Sequence, residues 1–168
     1  MKCRSPVEIA TVKDAPQIAA LLTAASQRLT DIYGEGHWSH QTTEKGVLFG
    51  MKQNSKVLVV KHDQKIVGTL RLTTKKLWAI DTSYFTKVSH PLYLVDMSVQ
   101  PDQQRTGIGR YMLQEAKSFV KTWPGHAIRL DAYNAPAGAG EFYRKCGYRE
   151  VGRVVYKGTP LIYFELML

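Results

Sequence analysis

The chain has 168 residues, 44% hydrophobic and 22% charged, a balance that fits one globular domain and excludes a disordered or fibrous chain. No apolar run approaches the roughly 18–20 residues needed to cross a bilayer. The first eight residues lack the apolar stretch and cleavage site of a secretory leader, so the expected compartment is the cytoplasm. The formal net charge of +9 is uneven: residues 45–88 hold nine Lys/Arg against two Asp/Glu, whereas residues 1–44 hold four against five.

In chain order, residues 7–12 read as a short strand. Asp14-Ala15-Pro16 then supplies an N-cap residue with proline in the first turn. Ile18, Leu21, Leu22, Ala25 and Leu29 recur at helical spacing until Tyr33-Gly34-Glu35-Gly36 breaks the pattern. A less regular helix is expected over residues 42–53. From Lys56 the period becomes that of strands: residues 57–60, a polar turn His62-Asp63-Gln64-Lys65, then residues 66–72, a hairpin or meander. After a variable stretch with Trp78 and Tyr84, residues 92–99 form another strand, halted by Pro101. A helix follows with Ile108, Met112, Ala116, Phe119 and Val120 on one stripe, closed by Trp123-Pro124-Gly125. Residues 127–133 are a strand, 137–146 a short helix, and two last strands flank Gly158-Thr159-Pro160. The order is β-α-α-β-β-β-α-β-α-β-β over a single domain of residues 1–168, a mixed α/β sheet with one crossover near its centre.

Cys3 and Cys146 belong to no Cys-x-x-Cys pair and have no histidine at zinc spacing, so free thiols and no metal are expected. His37 and His40 stand at i, i+3, but spacing supplies no third ligand. The basic middle segment can attract an anionic cofactor, an acidic substrate or nucleic acid, or can simply solvate strand edges. No nucleic-acid motif accompanies it, which makes nucleic acid an unlikely partner.

The informative segment is the strand-turn-helix of residues 94–110, which contains Gln104-Arg105-Thr106-Gly107-Ile108-Gly109-Arg110. Gly107 and Gly109 let backbone approach a ligand, and the first helical turn offers unpaired N–H groups at the positive end of the helix dipole, a geometry that binds phosphate. Gln104 adds neutral donors, while Arg105 and Arg110 add charge and forked hydrogen bonds, which suits a pyrophosphate. It is neither a Walker A loop nor a dinucleotide fingerprint, since position 112 is Met where a third glycine would stand.

Val99-x-Pro101, Gln104-x-x-Gly107-x-Gly109 and the later Glu141-Phe142-Tyr143-Arg144-Lys145-Cys146-Gly147-Tyr148 together resemble the GNAT superfamily of acetyl-coenzyme A-dependent N-acetyltransferases, across essentially the whole chain. The resemblance implies a single-domain fold with a mixed, mostly antiparallel sheet of about six or seven strands, flanked by about four helices and holding a splayed central parallel pair. It implies acetyl-coenzyme A as cosubstrate and a small-molecule or peptide amine as acceptor. Met97 and Val99 would then hold the pantetheine arm through backbone groups as an added strand, with a backbone N–H polarising the thioester carbonyl. Gln104, Arg105, Thr106, Gly107, Ile108, Gly109 and Arg110 would hold the pyrophosphate, and Asn134 would contact the cofactor although residues 135–140 lengthen the usual spacing to the tyrosine. Tyr143 would stand beside the cofactor's sulfur as general acid.

The amine must also lose a proton before attack. Many family members carry a Glu early in the cofactor strand, where this chain has Leu92-Tyr93-Leu94. Asp96 is the nearest carboxylate, either a base and amine ligand or a structural group bonded to a neighbouring loop. The acceptor is expected against Tyr33, Glu35, His37 and Trp38 in the glycine-loosened connection between the first helices, with Asp31 and Glu35 suiting a cationic amine and His37 able to relay a proton. Cys146, beside Arg144 and Lys145, makes a covalent route conceivable, though packing is the favoured role. Absence of the early Glu leaves a non-catalytic acyl-coenzyme A sensor as the alternative. A monomer and a homodimer both remain open, because the apolar run 161–168 suits an interior strand or an interface.

Overall fold

The structure, a computed structural model, describes residues 5–52 and 54–168. Strands β1 (Val7–Ile9), β2 (Ser55–His62), β3 (Lys65–Thr73), β4 (Pro91–Val99), β5 (Ala127–Tyr133), β6 (Arg149–Tyr156) and β7 (Thr159–Met167) form one sheet in the order β1-β2-β3-β4-β5-β7-β6. Helices α1 (Ala15–Tyr33), α2 (Glu44–Met51), α3 (Ile108–Thr122) and α4 (Gly140–Lys145) flank it.

Alternation along β2 assigns the layers. Val57 and Val59 pack with Ile18 and Leu21 of α1 and Val47 of α2, whereas Leu58 and Val60 pack with Met112, Leu113, Ala116 and Val120 of α3. Successive side chains of a strand point to opposite faces, so α1 and α2 cover one face and α3 the other. The apolar stripe read for α3 is this buried seam, and truncating one of its large side chains to alanine costs about 2–5 kcal/mol. The run 161–168 is the interior strand β7, paired on both sides by β5 and β6.

All neighbours are antiparallel except β4 and β5. That parallel pair holds only at Pro91↔Ala127, Leu92↔Ile128 and Tyr93↔Arg129; beyond these residues the two strands part. The α3 crossover joins them, and the opening between them faces the start of α3.

Four local expectations change. The first strand stops at Ile9, and a 3-10 turn, Val12–Asp14, follows. Asp14 occupies the N-cap position of α1 without capping it through its side chain; its carboxylate accepts from the Thr11 N–H at 2.8 Å and pairs with Lys61 at 3.1 Å. The last helix is only Gly140–Lys145, because residues 135–138 close a turn, with the Gly138 N–H donating to the Ala135 carbonyl at 2.8 Å. A Cβ on Gly138 would overlap the Tyr133 carbonyl, which explains why glycine stands there. The second helix runs Glu44–Met51, and Gln53, where it was expected to end, lies outside the described residues, as does Cys3.

Candidate active site

Two departures from regular structure shape the site. Between Thr69 and Arg71 the β3–β4 register shifts, and Asp96 on the bulged strand takes φ +53°, a left-handed conformation that Asp tolerates better than most residues. On its other side β4 has already left β5, so residues 94–99 line open space instead of a neighbouring strand.

The turn after β4 is a second strained segment. Arg105 has φ +61° and Gly107 φ +90°, the latter as N-cap of α3 with no side chain capping the helix. The amides of the first turn are therefore left without a side-chain partner, at the end of the helix that favours negative charge. Arg105 and Arg110 are exposed beside it, and Thr106 turns its hydroxyl to the Gln103 carbonyl at 2.6 Å. Two residues of this turn also have structural partners. Gln104 directs its amide nitrogen to the Val99 carbonyl at 3.2 Å, tying the loop to β4. Gly109 serves close packing: a Cβ there would stand 3.1 Å from the Phe142 ring and 3.6 Å from the Met97 methyl.

Two cavities of about 320 Å³ each meet in the splay. One runs from Val99, Gln104, Arg105 and Gly109 to Phe142 and Tyr143; the other is bounded by α1, Trp38, His40, Asp96, Asp131 and Tyr133. Met97, Ser98 and Tyr143 line both. They thus form one cleft with two arms that meet beside the tyrosine.

Tyr143 is buried, edge-on to Phe142 and Tyr148, and among the described residues its hydroxyl donates only to the Met97 sulfur, at 3.8 Å. Thioethers are weak acceptors, so this proton is loosely held. Burial, reinforced by the charge of Asp131, pushes the phenol well above its usual range and keeps it protonated.

Asp131 was not singled out from the sequence. It sits on β5, half-buried in the second cavity, with neither a hydrogen bond nor an ion pair among the described residues. Burial raises its pKa. The sequence signal available was a carboxylate alternating with Leu130 and Ala132 in an otherwise apolar strand. Asp96, by contrast, is exposed and accepts from the Arg71 Nε at 3.3 Å.

A model of the acetyltransferase (GNAT) domain matches residues 53–150. The chain belongs to the GNAT acetyltransferase family. Solved structures share the fold at low identity. An N-acetyltransferase from Staphylococcus aureus Mu50 is 16% identical with a TM-score of 0.72, over 98% of this chain and 99% of that one. The ribosomal-protein-alanine N-acetyltransferase of Brucella melitensis is 16% identical with a TM-score of 0.71, over 97% and 99%. PaiA N-acetyltransferase from Thermoplasma acidophilum, in complex with coenzyme A, is 14% identical with a TM-score of 0.72, over 97% and 99%. No curated protein matches the chain significantly. Among the described residues no helix is long and apolar enough to cross a membrane.

The acceptor side of this GNAT domain departs from the sequence reading. Trp38 lines the second cavity, packed edge-on to Tyr133 with ring centroids 6.0 Å apart. Tyr33, Glu35 and His37 do not line it. His37 instead clasps the loop to the sheet: its carbonyl accepts from the Tyr133 hydroxyl at 3.0 Å, and its Nδ1 lies 3.1 Å from the Thr159 hydroxyl. Asn134 is exposed outside both cavities, with its backbone N–H on the Pro160 carbonyl at 3.0 Å, and Ala137 and Ala139 line the cleft instead. His40 and Ser98 are cavity residues that the acceptor and cofactor readings missed. The expected cationic neighbours of Cys146 are engaged elsewhere: Arg144 pairs with Glu141 and Glu150, and Lys145 with Glu141. Burial raises the Cys146 thiol against the opposing pull of Arg110.

Proposed function

We propose that this GNAT domain transfers an acetyl group from acetyl-coenzyme A to a primary amine by direct attack, with both substrates bound together. The observation that carries this reading is the two-armed cleft whose arms meet at Tyr143. Acetyl-coenzyme A, when bound, supplies an activated acetyl thioester. The residues fit such a guest. The uncapped first turn of α3, with Arg105 and Arg110, holds the pyrophosphate. The parted edge of β4 from Met97 to Val99 holds the pantetheine arm by strand-like hydrogen bonds.

In the second arm Asp131 removes the proton from the amine. Its carboxylate has no hydrogen-bond or ion-pair partner among the described residues to compete for a proton, and burial raises its pKa, the direction that strengthens a base. Asp96 adds a second negative charge at the mouth, favouring entry of a cationic amine. Tyr143 then donates its phenolic proton to the departing thiolate, and the Asp131 charge that opposes its ionisation keeps that proton available until needed. Cys146, held as a neutral thiol, forms no acyl-enzyme. Initial-rate kinetics test this: release of coenzyme A thiol requires an amine, and double-reciprocal lines intersect. Parallel lines, or acetylation of Cys146 without an amine, contradict direct attack.

A further inference from the structure

A third cavity, of about 360 Å³, adjoins the amine arm and shares Leu22, Thr42 and Asp96 with it. Its floor is apolar, with Ile18, Val47 and Val57 among its walls, and two large aromatic side chains stand at it unpacked: Phe49 is 78% exposed and Trp78 is 87% exposed. Solvent-exposed aromatics of this size beside a cavity mark a contact surface more often than a folding element.

Its charge is one-sided. Lys52, Arg71, Lys75 and Lys76 line it, against Asp96 as the sole carboxylate among the described residues. These cations all come from the basic middle segment, which the pyrophosphate turn does not use. Lys76 donates to the Leu77 and Ile80 carbonyls, and Arg71 offers Asp96 only its Nε, leaving its forked terminal nitrogens without a partner among the described residues. Lys52 and Lys75 have no ion pair among the described residues. A cavity walled by apolar groups and ringed by cations complements a ligand that is apolar in body and negative at one end, and it repels a polycation.

We propose that this cavity receives the far end of the acceptor, and that the acceptor is a small amphoteric amine whose amino group and carboxylate are separated by a short spacer bearing an apolar or aromatic group. The inference rests on the acetyl-transfer reading above. The amino group lies between Asp131 and Asp96, the spacer runs along Leu22, Val47 and Trp78, and the carboxylate meets Arg71, Lys52 and Lys75. This selects against polyamines and aminoglycoside-like amines, whose several positive charges would face the same cations.

The test uses Gly-Phe, its C-terminal amide and spermidine, each titrated calorimetrically into the full chain saturated with coenzyme A. The expected order has Gly-Phe binding about tenfold tighter than its amide, and spermidine weakest. In Lys52→Ala/Lys75→Ala, both exposed positions, the acid-over-amide preference falls to within about twofold. Equal or tighter binding of the amide or of spermidine overturns the proposal, as does failure of Gly-Phe to bind or a preference that survives the double substitution. Turnover is read separately with acetyl-coenzyme A. Preferential binding of Gly-Phe without acetyl transfer refutes the catalytic reading while leaving the carboxylate site standing.

Discussion

Asp131→Asn separates catalysis from stability more sharply than any other single change. An alkyl amine with a pKa near ~10.4 is deprotonated to only about one part in 10³ at pH 7, and general-base assistance contributes roughly 10²–10⁴-fold. Asn has the same shape but cannot take the proton, so kcat at pH 7 should fall by about 10²–10⁴. The pH profile is more telling than the magnitude. In the native chain kcat rises through the elevated pKa of Asp131 and then levels off; in the variant it climbs about tenfold per pH unit toward the pKa of the amine. Stability should move the other way. Because burial raises the folded-state pKa, the folded chain binds this proton more tightly than the unfolded chain, and ionisation of Asp131 destabilises the fold as pH rises. Asp131→Asn should therefore raise Tm at pH 7, with the gain vanishing as pH falls below the unfolded carboxylate pKa of ~3.9, where the carboxyl becomes protonated in both states. Stopped assays of thiol release across pH 5–10 and thermal melts read both effects. A variant that keeps the native pH profile removes Asp131 from the mechanism.

Tyr143→Phe should lower kcat by about 10–100-fold with the affinity for acetyl-coenzyme A unchanged, because only a loosely held hydroxyl is lost from a ring whose packing persists; steady-state kinetics beside calorimetry check this. Glu165 supplies a pH-dependent stability test. Its carboxylate is buried, which opposes ionisation, but hydrogen bonds from the Thr86 hydroxyl and N–H and from Arg149 outweigh burial and lower its pKa. Its stabilisation is present above the unfolded carboxylate pKa and is lost as pH falls through the depressed folded value. Glu165→Gln should cost about 1–3 kcal/mol at pH 7 and flatten the acid limb of the stability curve, read by urea melts from pH 7 to pH 3.

The strands and the α3 stripe were legible because burial on one face imposes a period, and β2 and α3 keep it without interruption. The left-handed turn into α3 was legible from its glycines, yet the reason for Gly109, the Phe142 ring against it, depends on a residue 33 positions further along the chain. The bulge at Asp96 left no sequence mark, since one extra residue in a strand is defined by its partner β3. Asp131 went unread for the same reason: its importance lies in the parting of β4 and β5 and in the partners it lacks, both properties of tertiary packing. Of the Tyr33–Trp38 connection only Trp38 lines the second cavity, because His37 and Tyr133 fasten the loop with their own hydrogen bonds.

Calorimetric titration with acetyl-coenzyme A, of the native chain beside Arg105→Glu, tests the central claim most directly. Saturable 1:1 binding that weakens by at least about tenfold in the variant is expected, because Glu places a like charge against the pyrophosphate at the start of α3. Absence of binding to the folded native chain, or equal binding by both proteins, would contradict the assignment of the first arm to the cofactor.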